Sequence, residues 1–220
     1  MTRYRFDVDF GFSDLTRWFQ GPWQHERTVP ETVSDACEGR LGWPEGVAAT
    51  AILHDSLRLL ESPLSTAEIT ALWQAATQGG YNLEYFGIDG RDWLRQIVEI
   101  CTDRLRQVDA AYAAVVEWPA PASSAADAVL AALRAASASL EAAATSGHRP
   151  TVPGIVEALE KTVVQVDPDL GFRLFLRIMA AYWVPITEAE YARYAALGER
   201  FGYGEFHVDD VEFLTRLKGD

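Results

Sequence analysis

The sequence predicts an all-α fold with minor β: two related helical modules preceded by a short N-terminal strand. Three observations predict it. Apolar residues recur at helical spacing through most of the chain, helix-capping residues and Gly/Pro stops punctuate it, and a segment of the first half is echoed in the second.

Residues 4 to 10 alternate Tyr4, Phe6, Val8 and Phe10 with Arg5, Asp7 and Asp9, the period-2 pattern of a half-buried strand. Ser13 and Asp14 offer N-cap chemistry for a brief helix to Gln20, stopped by Gly21-Pro22. Thr28, Pro30 and Glu31 open a helix ending at Gly39, with proline tolerated in the first turn. Pro44 starts the next, Glu45 to Glu61, whose stripe is Val47, Ile52, Leu53, Leu57 and Leu60. Ser65 followed three residues later by Glu68 is a capping box for a helix that stops at Gly79-Gly80. After an aromatic loop, Tyr81 to Gly87, Asp89 caps a helix carrying Trp93, Leu94, Ile97, Ile100, Cys101 and Leu105 on one face.

Two prolines and two serines in residues 118–125 break the periodicity on both sides and are read as a linker between modules 1–117 and 126–220. Beyond it, the alanine-rich stretch Ala125 to Thr145 is a helix by propensity. Further helices run Val152 to Gln165, Leu170 to Tyr182, and Glu188 to Arg200 with Thr187 as cap. An extended piece, Glu205 to Val208, precedes a terminal helix from Asp209. The echo between halves is direct. Pro63-Leu64-Ser65-Thr66-Ala67-Glu68-Ile69 faces Pro185-Ile186-Thr187-Glu188-Ala189-Glu190-Tyr191, and Gly80-Tyr81 faces Gly202-Tyr203. After a two-residue deletion, Phe86, Ile88, Asp89, Trp93 and Leu94 face Phe206, Val208, Asp209, Phe213 and Leu214.

The 220 residues, 49% hydrophobic and 11% aromatic, suffice for a packed core. Arg173 and Arg177 interrupt the most apolar segment, so no run reaches the roughly 18 residues of a membrane span. The charged, alternating N-terminus lacks the apolar run of a secretory signal. Cys37 and Cys101 each fall in an apolar helical setting that fits buried thiols in a reducing cytoplasm. With 19 Lys and Arg against 32 Asp and Glu, the net charge of −13 opposes nucleic-acid binding and favours steering of a basic protein partner. Solubility alone accounts for such a charge equally well.

The first half resembles the contact-dependent growth inhibition immunity proteins. The likeness rests on Leu15-Thr16-Arg17-Trp18-Phe19 with Trp23-Gln24-His25-Glu26 and Thr28-Val29-Pro30-Glu31. It continues in Leu64 to Glu68, Gly80-Tyr81, Asp89-Gly90-Arg91 and Trp93-Leu94-Arg95. It covers about residues 10–107, departs from the family in the order of Trp and His around 23–25, and gives the second half no counterpart unless that half is a diverged copy. The resemblance implies a helical protein that binds and neutralises a toxin domain. The carboxylates and aromatics of the echoed loops are then the docking candidates: Glu84, Tyr85, Phe86, Asp89 and Asp92, with Glu205, Asp209 and Glu212 in the second copy. Trp18, Trp23 and Trp43 are candidate anchors, whereas Trp93 fits the core.

Two readings compete with partner binding. His25 with His54-Asp55 resembles the helical HD metal-dependent phosphohydrolases, in which histidines and carboxylates hold a divalent ion. It supplies no identifiable fourth ligand, and a solvent-side His and Asp on an amphipathic helix is the simpler account. A scaffolding protein is the other reading. No glycine-rich nucleotide motif, nucleophile elbow or cofactor signature occurs, so no cofactor is expected, and His207 has no evident task.

Overall fold

A computed structural model describes residues 4–20, 27–113, 123–146 and 150–218. The chain runs through α1 (Gly11–Arg17), α2 (Val29–Glu38), α3 (Val47–Glu61), α4 (Thr66–Ala76), α5 (Gly90–Val108), α6 (Ser123–Thr145), α7 (Ile155–Gln165), α8 (Pro168–Tyr182) and α9 (Glu188–Phe201). A 3₁₀ turn lies at Glu84–Phe86 and a longer 3₁₀ segment at Asp209–Lys218.

Helix starts follow local chemistry. Thr28 and Glu31, Ser65 and Glu68, and Thr187 and Glu190 close complete capping boxes on α2, α4 and α9, satisfying amides that have no partner within the helix. Asp89 caps α5, and Asp167 caps α8 by accepting from the amides of Asp169 and Leu170. One apolar cluster runs through both halves, from Phe12, Trp73 and Trp93 to Phe172, Phe175 and Tyr194. Helix α8 lies at its centre, packed by α1, α4, α6, α7 and the C-terminal 3₁₀ segment, with every residue but Pro168 and Ala180 buried. No helix among the described residues is long and apolar enough to cross a membrane.

Several local expectations are corrected. Residues 4–10 form no strand, and no strand occurs among the described residues. Phe6 and Phe10 do turn inward, but the segment meets the chain at Gly204–Phe206 through two backbone bonds, from Gly204 and Phe206 to the carbonyls of Phe6 and Asp7. Asp9 also turns inward, which breaks the alternation. The expected extended piece 205–208 is a turn, because it wraps around that contact; a Cβ on Gly204 would lie 2.3 Å from the Cα of Asp7. Helix α1 begins at Gly11 with Phe10 at its N-cap and no side-chain cap, since Ser13 donates instead to Asp9 at 2.6 Å. The expected linker, 118–125, lies outside the described residues up to 122, and its last three residues open α6.

Candidate functional site

Ionisable side chains gather where α1, α3 and α8 meet the loop after α9. The inner part is closed. Arg173, 1% exposed, forks onto Asp55 with bonds of 2.8 and 3.0 Å, reaches Asp169 at 3.3 Å and the Phe10 carbonyl at 2.9 Å, and lies 4.2 Å from the Phe10 ring centroid. Asp55 also accepts the Phe12 amide at 3.0 Å. Gly11 makes that approach possible: its φ is +68°, and a Cβ there would meet an Asp55 oxygen at 2.1 Å. Arg58 pairs with Asp167 at 2.9 Å, and the Tyr203 hydroxyl donates to Asp169 at 2.6 Å. Burial works against the Arg173 charge, but Asp55 and Asp169 outweigh it and hold its pKa well above the ordinary value. Burial, then the Asp169 charge, raises the pKa of Asp167.

The outer part is partly open. Asp9, Arg17, Arg173, Leu176, Arg177, Ala180, His207 and Asp210 line a small pocket with room for about one water molecule. Arg17 pairs with Asp210 and lies 3.6 Å from Asp9 and 3.8 Å from Asp14. Arg177, 5% exposed, donates to Thr16 and Gln20, and among the described residues no carboxylate stands within ion-pair distance of it. Burial, then the neighbouring Arg17 charge, lowers its pKa to about 10. Burial, then the Asp9 charge, raises Asp14 to about 6 against the pull of Arg40 and Arg17. His207 is buried, stacks on Tyr203 with centroids 3.8 Å apart and contacts the Val8 carbonyl through Nδ1; burial lowers its pKa.

The docking candidates lie elsewhere, on the surface. Glu84, Asp89, Asp92, Glu205, Asp209 and Glu212 are all exposed, as are Tyr85 at 83%, Phe86 at 46% and Phe206 at 54%. Asp89 is engaged in capping α5, Asp92 pairs with Arg95, and Asp209 accepts the Tyr191 hydroxyl at 2.7 Å. Each loop stands on a buried tyrosine: Tyr81, whose carbonyl accepts the Trp73 indole N–H at 3.0 Å, and Tyr203. Both loops also meet the end of α1. Phe19 packs 5.4 Å from Tyr81, which stacks on Phe86, while Arg17 pairs with Asp210 beside Asp209; Trp18, between them, is 43% exposed. Trp93 is fully buried, Trp43 is half-buried against Phe6, and Trp23 lies outside the described residues.

Of the metal candidates, His54 and Asp55 fall among the described residues. His25 lies outside the described residues, and Asp55 is not solvent-side as expected: both its oxygens face Arg173. Among the described residues no three His, Cys, Asp or Glu side chains form a metal-holding group.

Sequence reasoning missed the charge cluster. Arg173 and Arg177 register in the sequence as interruptions of an apolar run. Two arginines four residues apart inside such a run share one helix face, and with Asp167 and Asp169 at its start they signal buried charge. His207 gives no such signal, because its burial follows from the long-range contact with residues 6–8. Comparison with family models, with curated proteins and with solved structures finds no significant match to this chain.

Proposed function

We propose that the chain is an acidic protein-binding module, an immunity protein that neutralises a basic toxin domain in the cytoplasm. In this reading the halves 1–117 and 126–220 are related modules, each presenting one acidic–aromatic loop, with 118–125 as linker. The observation that carries it is the pairing, on both loops, of exposed carboxylates with exposed aromatic rings. Glu84, Asp89 and Asp92 lie within a few positions of Tyr85 and Phe86 in the chain, and Glu205, Asp209 and Glu212 lie within a few positions of Phe206; all are exposed. Exposed aromatics beside like-signed charge suit a partner that is steered in by its cations and then held by ring burial. The loops' shared footing on α1, with Trp18 exposed between Arg17 and Phe19, allows one partner to touch both. The buried charge cluster acts in this reading as the rigid mount, fixing α1 to α3 and α8.

If the reading frame immediately upstream encodes a basic toxin domain, that domain is the partner to test. Replacing Glu84→Gln, Asp89→Asn and Asp92→Asn together should slow association while leaving dissociation nearly unchanged, and added salt should slow the wild type similarly, since exposed charges are screened over roughly 8 to 10 Å. Asp89→Asn retains a capping side chain, so helix α5 should persist in circular dichroism. An association rate indifferent to both salt and the substitutions rules out these loops as the docking surface.

A further inference from the structure

We propose that Cys37 and Cys101 are a covalent modification site: a peroxide reaching the folded protein joins them in a reversible disulfide that staples α2 to α5. The two Sγ atoms lie 3.3 Å apart across the packed faces of these helices, 64 positions apart in the chain. They are the two cysteines of the sequence, both free, so each has a single thiol neighbour within the molecule. Both are buried, at 1% and 0% exposure, among Val33, Ala36, Ile97 and Leu105. Closing the bond therefore asks for a side-chain adjustment of about 1 Å, not a rearrangement of helices.

The chemistry balances with peroxide as two-electron oxidant. One thiol gives up its proton, and its sulfur attacks the O–O bond, forming a sulfenic acid while the departing hydroxide takes the proton as water. The second thiol gives up its proton, its sulfur attacks the sulfenic sulfur, and the expelled hydroxide leaves as a second water. Two thiols and one peroxide become one disulfide and two waters. The hydrogen bond with Cys37, then burial, pushes the Cys101 thiol far above its ordinary pKa, so little thiolate exists at neutral pH and the reaction is slow. The site thus responds to sustained oxidant. Access is from the C-terminal end of α2, where Cys37 precedes exposed Glu38 and a loop with Arg40, Leu41, Gly42, Pro44 and Glu45 exposed. Peroxide is small enough to enter by local opening there, whereas a bulky disulfide such as oxidised glutathione is not.

The test treats the full chain with hydrogen peroxide in non-denaturing buffer, quenches it, and measures intact mass and peptide maps. The expected product has lost two hydrogen atoms, yields a Cys37–Cys101 linked peptide, unfolds at a higher temperature than the untreated chain, and returns to the original mass and midpoint with a thiol reductant. In Cys37→Ala the linked peptide should be absent and Cys101 should gain oxygen instead. Overturning results are thiols that stay fully titratable in the treated wild type, oxygen added independently at each cysteine, or cross-links between chains. The wild-type mass alone decides these, so the inference stays testable even if the alanine variant unfolds.

Discussion

Arg173 and Arg177 stand one turn apart on the same face of α8, both buried, in opposite electrostatic settings. Arg173 meets Asp55 and Asp169, and its charged form is strongly favoured; Arg177 bonds two neutral oxygens, and burial and Arg17 outweigh the more distant Asp9, Asp210 and Asp14, so its pKa falls to about 10. Helix α1 makes the difference, turning Phe10 and Ser13 toward the first arginine and Thr16 and Gln20 toward the second. A net charge of −13 therefore says nothing about whether a particular cation is paired. Carboxylates decide that one position at a time.

The largest effect should come from breaking the closed pair. Asp55→Asn leaves the Arg173 charge buried with Asp169 as its remaining partner, and Arg173→Met leaves two carboxylates facing each other. Each should cost about 3 to 5 kcal/mol in urea unfolding, and the double variant should lose clearly less than the sum, since the second substitution removes a charge already stranded. Losses under about 1 kcal/mol, or simple additivity, would show that these charges are solvated and erase the contrast with Arg177.

A second effect reads the open side through pH. Asp14 titrates near 6 in the folded protein, above its ordinary 3.8, because burial and Asp9 oppose its charge. A raised carboxylate pKa means that the folded state holds the proton more tightly than the unfolded state. Asp14 therefore stabilises fully below pH 3.8, and that contribution is lost as pH rises through 6. His207 runs oppositely: its folded pKa lies below 6.5, so its contribution is present above 6.5 and is lost as pH falls. The stability difference between wild type and Asp14→Asn should shift by up to about 3 kcal/mol between pH 4 and 7, with the wild type relatively better at the acid end. A pH-independent difference would mean that Asp14 is solvated like an ordinary surface carboxylate.

The same contrast marks how far the sequence could be read. Capping is a contact over three residues, so the boxes at Ser65 and Thr187 are legible in the letters alone, and the helices they start lie where expected. The alternation at residues 4–10 reads as a strand because the letters repeat with a period of two, but the inward turn of Asp9 and the two backbone bonds to Gly204 and Phe206 are set by distant parts of the chain. The terminal segment reads as a helix from Asp209, and it is a 3₁₀ segment that packs on α8 with Val211 and Leu214 buried. The charge cluster was least legible, because it forms between Asp9, Asp55 and Arg173, which are distant in the chain. What makes Arg173 and Arg177 different is the register of α1 against α8.

The smallest effect should come from Arg177, and it sharpens the comparison most. Arg177→Leu removes a buried charge that Asp9, Asp210 and Asp14 offset only in part, and keeps an apolar stem in the α8 interface. At neutral pH a cation with a lowered pKa works against folding, because the unfolded chain holds that proton more tightly. Against that gain stand two hydrogen bonds. Thr16 Oγ1 keeps its own bond to the Ser13 carbonyl at 2.6 Å, and Gln20 is exposed and can turn to water, so their loss is worth about 1 kcal/mol each at most. The two terms nearly cancel, and the unfolding free energy should stay within about 1 kcal/mol of wild type, on either side. Arg173→Leu, one turn earlier and with the same change of side chain, should lose several times more. Equal losses at both positions would show that Asp9, Asp210 and Asp14 act on Arg177 as strongly as paired counter-charges, and that the two arginines belong to one continuous ion-pair ladder.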